Sequence, residues 1–246
     1  MYPAQWKDLK FLLISIIQVL DGNYKHTSDI KAKKDAIHEL KYHSFDKIGV
    51  SAAGLKTQMY FNFIITRHPF ERLVSAYRNK IEKPFSAHFQ VLYGSQMLRM
   101  SRKGLTNAQY RAGKGVTFKE FVDFVIKIQM GNLDEHWRSV FSLCSICGVK
   151  YDFIADMSTL YDDSDQILKL IGWYDRVQFP RSSKDSYAKT AIDLTPEYLN
   201  KLSDVDLEKF YKKFKFDFEA FGYEFNLADI RKGFLNNKPK TGVIQI

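Results

Sequence analysis

Two arginines and a serine stand close together in RHPFERLVSAYRNK, residues 67–80: Arg67 directly after the apolar run FNFIIT, then Arg72, then Ser75. A guanidinium offers a rigid fork of N–H donors that matches phosphate geometry, and a hydroxyl can add one more donor. Pro69 suits the first turn of a helix, whose unpaired N–H groups and partial positive charge also favour an anion. The chemistry on offer is therefore the binding of a phosphate-like group. The competing reading is structural: Arg67 pairs with a carboxylate such as Glu71, and Ser75 bonds to its own helix. A second candidate is His136, because a histidine takes up a proton near neutral pH and suits a general base. Packing beside Trp137 is its structural alternative.

Elements must position these groups. MYFNFIIT, residues 59–66, is rich in aromatic and β-branched residues and too short for a helix, so it reads as a central strand. From His68 the period changes. Phe70, Leu73, Ala76, Tyr77 and Ile81 form an apolar stripe and leave Arg72, Ser75 and Asn79 together on another face. TFKEFVDFVIKI reads as an amphipathic helix, with Thr117 as N-cap and Glu120 completing a capping box. A strand is expected in VKYDFIA, then a helix in SDQILKLIGW ending at Gly172. Two helices starting at Thr195 and Ser203 follow, and a poorly ordered tail is expected from Asn226. GSQMLRMSRKGLTNAQYRAGKG and FPRSSKDSYAKT read as loops. GVSAAGLKT, residues 49–57, superficially looks like a phosphate loop, but its Gly-to-Lys spacing is wrong and it precedes a strand, so it reads as a plain loop. Strands alternating with helices indicate an α/β fold with a mainly parallel sheet flanked by helices. In such sheets ligands gather at the carboxyl ends of strands, which is where Arg67 falls.

The 246 residues, 45% hydrophobic and 26% charged, suffice for one full core and suggest one domain. A formal charge of +9 predicts attraction to polyanions. Nucleic acid, anionic glycan and phosphorylated small molecules all satisfy that charge, but no nucleic-acid-binding motif is present. FLLISIIQVL, residues 11–20, is about half of the ~20 residues a membrane helix needs, and it lacks a signal-peptide cleavage pattern, so it reads as a buried helix. The lysine-rich KHTSDIKAKKDAIHELKYHS reads as a charged surface helix. The two cysteines, Cys144 and Cys147, are too few for zinc and suggest a disulfide or a pair of buried thiols. No residue cluster calls for a metal.

RHPFERLVSAYRNK resembles the segment of Golgi carbohydrate sulfotransferases that holds the 3′-phosphate of PAPS, the sulfuryl donor. It is most similar to the group that includes chondroitin 4-sulfotransferases and the HNK-1 sulfotransferase. The family's R-x-P-x-x-R-L-x-S pattern is matched by Arg67, Pro69, Arg72, Leu73 and Ser75. EHWRSVFSLCSICGVKYDFI resembles the family's His-Trp segment with its two-cysteine element and following strand, and KFDFEAFGYEF its C-terminal signature. With TLYDDSDQILKLIG between them, the resemblance runs from Trp6 to Phe225.

The resemblance implies a P-loop-NTPase-like sulfotransferase fold over residues 1–225, followed by a tail at 226–246. It implies that Arg67 and Ser75 hold the 3′-phosphate, within a motif that includes Pro69 and Arg72, and that His136 is the base or, together with Trp137, contacts sugar. PAPS is the implied co-substrate, without metal, and a glycan or proteoglycan of chondroitin or GalNAc type is the implied acceptor. Arg176, Arg181 and Lys184 have two equal readings: contact with the adenosine part or an anionic sugar chain, or plain surface solvation. The family works in the Golgi lumen as type II membrane proteins, which favours a Cys144–Cys147 disulfide. Its 5′-phosphosulfate loop, resembling PKVGCTNWKR, is represented only by QWKD at residues 5–8, where Lys7 is a partial substitute for the loop lysine. The preceding strand and membrane anchor are also missing. A truncated version of a complete enzyme and a catalytically silent PAP- or anionic-glycan-binding relative are the two expectations that follow.

Overall fold

The computed structural model describes residues 25–26, 50–84, 86–180, 194–235 and 242–243. The apolar run at 11–20, most of the lysine-rich segment, Lys7, Arg181 and Lys184 lie outside the described residues. In chain order the helices are α1 (Val50–Met59), α2 (Pro69–Tyr77), α3 (Ser95–Ser101), α4 (Asn107–Ala112), α5 (Phe118–Lys127), α6 (Val140–Leu143), α7 (Leu160–Leu170), α8 (Thr195–Leu199), α9 (Asp204–Phe221) and α10 (Leu227–Arg231). The strands are β1 (Phe63–Thr66), β2 (Phe153–Asp156) and β3 (Gly242–Val243). No helix among the described residues is long and apolar enough to cross a membrane. The chain divides into two compact units, one of residues 1–66, 145–187 and 240–246, the other of 67–144 and 188–239.

The first unit holds the sheet. β1 runs parallel to β2, with Phe63 opposite Phe153 and Thr66 opposite Asp156, and β3 lies antiparallel on the far side of β2. The mixed α/β architecture with a parallel pair is therefore present. Among the described strands β2, and not β1, is the central one: all four of its residues are buried, whereas burial alternates along β1.

β1 also starts at Phe63 rather than Met59. Asn62 explains the shift, since its side-chain amide donates to the carbonyls of Thr57 (2.6 Å) and Tyr60 (3.0 Å) and closes α1 before the strand begins. α1 itself corrects the loop reading of residues 49–57, where Ala52, Ala53, Leu55 and Lys56 are good helix formers. α7 sets Ile167 against Phe153 and Ala155, and Leu160 and Leu168 against Val177 and Phe179. It ends where expected. Gly172 takes φ 73, its N–H reaches Lys169 O and that of Trp173 reaches Leu168 O, the paired bonds of a Schellman turn.

The second unit is helical. Every residue of α2 is buried, so its polar face does not look onto water as a two-sided helix would, and the chain continues as a π-helical turn over Arg78–Glu82. Tyr77 at the end of α2 meets Phe118 and Phe121 of α5 at 5.2 and 5.5 Å and Tyr198 of α8 at 5.8 Å. The Thr117–Glu120 capping box is present, and Arg102 adds a salt bridge to Glu120 at 2.6 Å.

The segment from Gly94 to Gly115 is not one loop: it forms α3 and α4, the latter started by a second capping box, Thr106 with Gln109. Gly113 ends α4 at φ 60, and a Cβ there would overlap the carbonyl of Gln90 and crowd the amide of Ser95. Backbone cannot yield as a flexible side chain can. Gly113→Ala is therefore expected to cost about 2–5 kcal/mol, left-handed strain plus overpacking. An unchanged urea midpoint would contradict this close approach.

Ser203 caps α9 as anticipated, with Asp206 completing its box, and Gly222 closes the helix at φ 75. The segment after Asn226 is ordered further than expected. Asn226 caps α10, Ile230 is buried, and Arg231 donates to the carbonyls of Leu199 (3.1 Å) and Leu202 (2.8 Å). No disulfide joins the two cysteines: Cys144 is half-buried, and Cys147 is exposed on the turn closed by Gly148 N–H to Ser145 O. The sequence expectation of a disulfide or two buried thiols is corrected accordingly.

Candidate active site

Helix α2 begins on an unusual cap. His68 accepts the Phe70 N–H on Nδ1 at 3.2 Å, while its ring packs among Phe70, Phe218 and Tyr223. Burial lowers its pKa to about 3, helped by the charge of Arg67 and opposed by the backbone of Glu224. The cap is thus a neutral imidazole.

From just before the cap, through α2 and into the π-helical turn, polar residues recur at four-residue spacing: Arg67, Glu71, Ser75 and Asn79. Arg67 Nε donates to Glu71 at 3.2 Å, and Asn79 Nδ2 lies 3.4 Å from Ser75 Oγ. Arg67 is 7% exposed and Ser75 1%. The ion pair of the structural reading is therefore present. It places Arg67 and Ser75 one turn to either side of the same carboxylate.

Arg72 leaves this row for a different task. Its guanidinium donates to the backbone carbonyls of Arg138 and Glu135, the latter at 2.7 Å. Burial lowers its pKa to about 10, against the nearby charge of Asp217, so it remains a cation at neutral pH. The two carbonyls it holds flank His136.

The ring of His136 meets Asp134: Nδ1 lies 2.6 Å from Oδ1, which also accepts the His136 backbone N–H at 3.0 Å. Tyr93 donates to the other oxygen of Asp134 at 3.1 Å. Burial pushes the Asp134 carboxyl up, but the donors from His136 and Tyr93 prevail and hold it below its ordinary value. An ionised carboxylate only accepts, so Nδ1 carries a proton, and in the neutral imidazole the lone pair then lies on Nε2. The edge of Phe89 packs against the imidazole at 5.2 Å. Trp137 is buried between Tyr93, Phe121 and Phe89, which makes it a packing residue.

One further residue braces this segment. Asp217 of α9 accepts from the Ser139 hydroxyl (2.8 Å) and from the amides of Phe141 (2.7 Å) and Val140 (3.2 Å), and burial pushes its carboxyl up. The second unit thus brings together Arg67, Pro69, Arg72 and Ser75 on or beside α2, with Arg72 bonded to the segment that carries His136. Arg176 belongs to the first unit, where it lies exposed in a turn. Asp134, Tyr93 and Asp217 were not anticipated. Asp134 could have been found, because DEHW carries a carboxylate two residues before the histidine, whereas nothing local marks Asp217. Among the described residues no group of three or more His, Cys, Asp or Glu is placed to hold a metal ion.

The sulfotransferase family model matches residues 10–224. The chain belongs to the sulfotransferase family. It is similar to Carbohydrate sulfotransferase 11 of Rattus norvegicus, 31% identical over 212 residues, which are 85% of this chain and 60% of that protein. Carbohydrate sulfotransferase 8 of Mus musculus is 30% identical over 223 residues, 87% of this chain and 52% of the relative. Carbohydrate sulfotransferase 14 of Danio rerio is 31% identical over 208 residues, 85% and 55%. The chain thus spans between 52% and 60% of the length of these curated relatives. No solved structure matches it. The likeness to carbohydrate sulfotransferases read from the motifs is borne out at the level of the family.

Proposed function

We propose that this sulfotransferase moves a sulfuryl group from PAPS to a hydroxyl of a glycan, of chondroitin or GalNAc type, within the Golgi lumen. The observation that carries the reading is the Asp134–His136 pair on a segment bonded through Arg72 to the helix of Arg67 and Ser75. In this reading Arg67 and Ser75 hold the 3′-phosphate of the donor, and Pro69 sets the first turn of their helix. His136 Nε2 takes the proton of the acceptor hydroxyl as its oxygen bonds to sulfur. The bond from sulfur to the phosphate oxygen breaks, and PAP leaves with the electron pair. Asp134 keeps the imidazole in the accepting tautomer and stabilises the cation that forms, without itself taking the proton.

Calorimetry with PAP and a sulfate-transfer assay on desulfated chondroitin test this. Arg67→Ala combined with Glu71→Gln, which avoids leaving a buried charge, is expected to weaken PAP binding roughly 10–150-fold, the worth of a hydrogen bond to a charged group. Ser75→Ala is expected to weaken it only about 2–12-fold. Unchanged PAP affinity in both variants would remove the donor site. PAP binding without sulfate transfer to any glycan would favour the silent binding relative.

A further inference from the structure

We propose that Arg72 and Asp217 act as a pair of positioning residues for His136, a role that rests on reading His136 as the base. Three stretches far apart in the chain meet here: RHPFERLVSAYRNK with Arg72, EHWRSVF with His136, and KFDFEAFGYEF with Asp217. The opposite charges divide the backbone between them. The cation takes the carbonyls of Glu135 and Arg138, on either side of the histidine. The anion takes the amides of Val140 and Phe141 and the hydroxyl of Ser139, immediately beyond.

The segment needs such help. It lies between a single 3-10 turn, Met130–Asn132, and the four-residue α6, and elements this short fix little by themselves. Arg72 is 5% exposed and Asp217 3%, so their bonds are shielded from water and hold a narrow geometry. Burying a guanidinium and a carboxylate merely to fill a core is costly compared with apolar side chains of similar volume. Ordering a catalytic backbone gives that cost a purpose. Glu71 and Arg72, adjacent in sequence, thereby join two tasks: one pairs with Arg67 in the polar row, the other sets the base.

Arg72→Lys keeps the charge but loses the fork, and Asp217→Asn keeps the shape but loses the charge. Each is expected to lower kcat roughly 10–100-fold, the effect of misplacing a reacting group by about an ångström, with PAP affinity within about twofold of the parent. In NMR each is expected to move the His136 imidazole resonance and its titration. Ser139→Ala, which removes one bond of Asp217 and the cap that accepts the Ser142 N–H but spares both charges, supplies a further variant should either of the others fold poorly. A tenfold or greater loss of PAP affinity in Arg72→Lys would make Arg72 a donor ligand and overturn the proposal. So would lowered stability with kcat and the His136 titration both unchanged. If the parent protein transfers no sulfate, a shifted His136 titration in the variants still supports the brace while the enzymatic reading fails.

Discussion

His136→Ala is expected to lower kcat for sulfate transfer by about 10²–10⁴-fold, the usual contribution of a positioned general base, while PAP binding stays near that of the parent. The separation follows from the geometry. The imidazole bonds to Asp134 and packs on Phe89, and it is the backbone around it, not the ring, that Arg72 holds. Removing the ring therefore removes proton transfer without disturbing Arg67 or Ser75. Asp134→Asn should fall part of the way, since an amide keeps the contact but loses the charge that retains the proton on Nδ1. Single-turnover kinetics at saturating PAPS isolate the chemical step. A parent-like rate in His136→Ala would end its assignment as base.

The second large effect concerns stability in acid. His68 is neutral in the fold, held down to about 3, but protonates near 6.5 once unfolded. Between those values the unfolded chain binds a proton that the folded chain does not, so stability falls as pH falls. From pH 6.5 to 5 the loss from this one group is about 1.6 kcal/mol, since the slope reaches about 1.4 kcal/mol per pH unit only well below 6.5. Glu120 acts in the same direction but lower: burial pushes it up, yet bonds from Arg102, Thr117 and Ser101 hold it near 2, so its contribution disappears only below about pH 4.5. Asp217, raised by burial, works the other way and gains stability as pH falls. The difference between parent and His68→Asn isolates the histidine, because asparagine preserves a capping acceptor and does not titrate. Urea unfolding of both at pH 6.5 and 5 measures it. Parallel losses in the two proteins would show that His68 does not charge on unfolding.

Much of the candidate site was legible because its signals are local. Arg67, Pro69 and Ser75 fall at motif spacing behind a run of strand-forming residues, and the structure sets them at the start of and along α2. Thr117, Gly172 and Ser203 marked helix ends correctly, since a cap or a left-handed glycine acts within one turn of chain. Where local signals were present but outnumbered they were lost: Thr106 and Gln109 form a capping box inside a stretch whose glycines and basic residues read as loop.

Sequence alone thus determined the family, the α/β class and the identity of the donor-site candidates, for each of these rests on residues a few positions apart. The tertiary structure alone decided what the buried polar face of α2 does. Arg72 finds its partners 63 and 66 residues away, and Asp217 reaches Ser139 across 78. Hydrogen bonds between a buried charge and distant backbone carry no periodicity and no spacing, because any residue supplies the carbonyl or the amide. Only folding the chain reveals which ones are held.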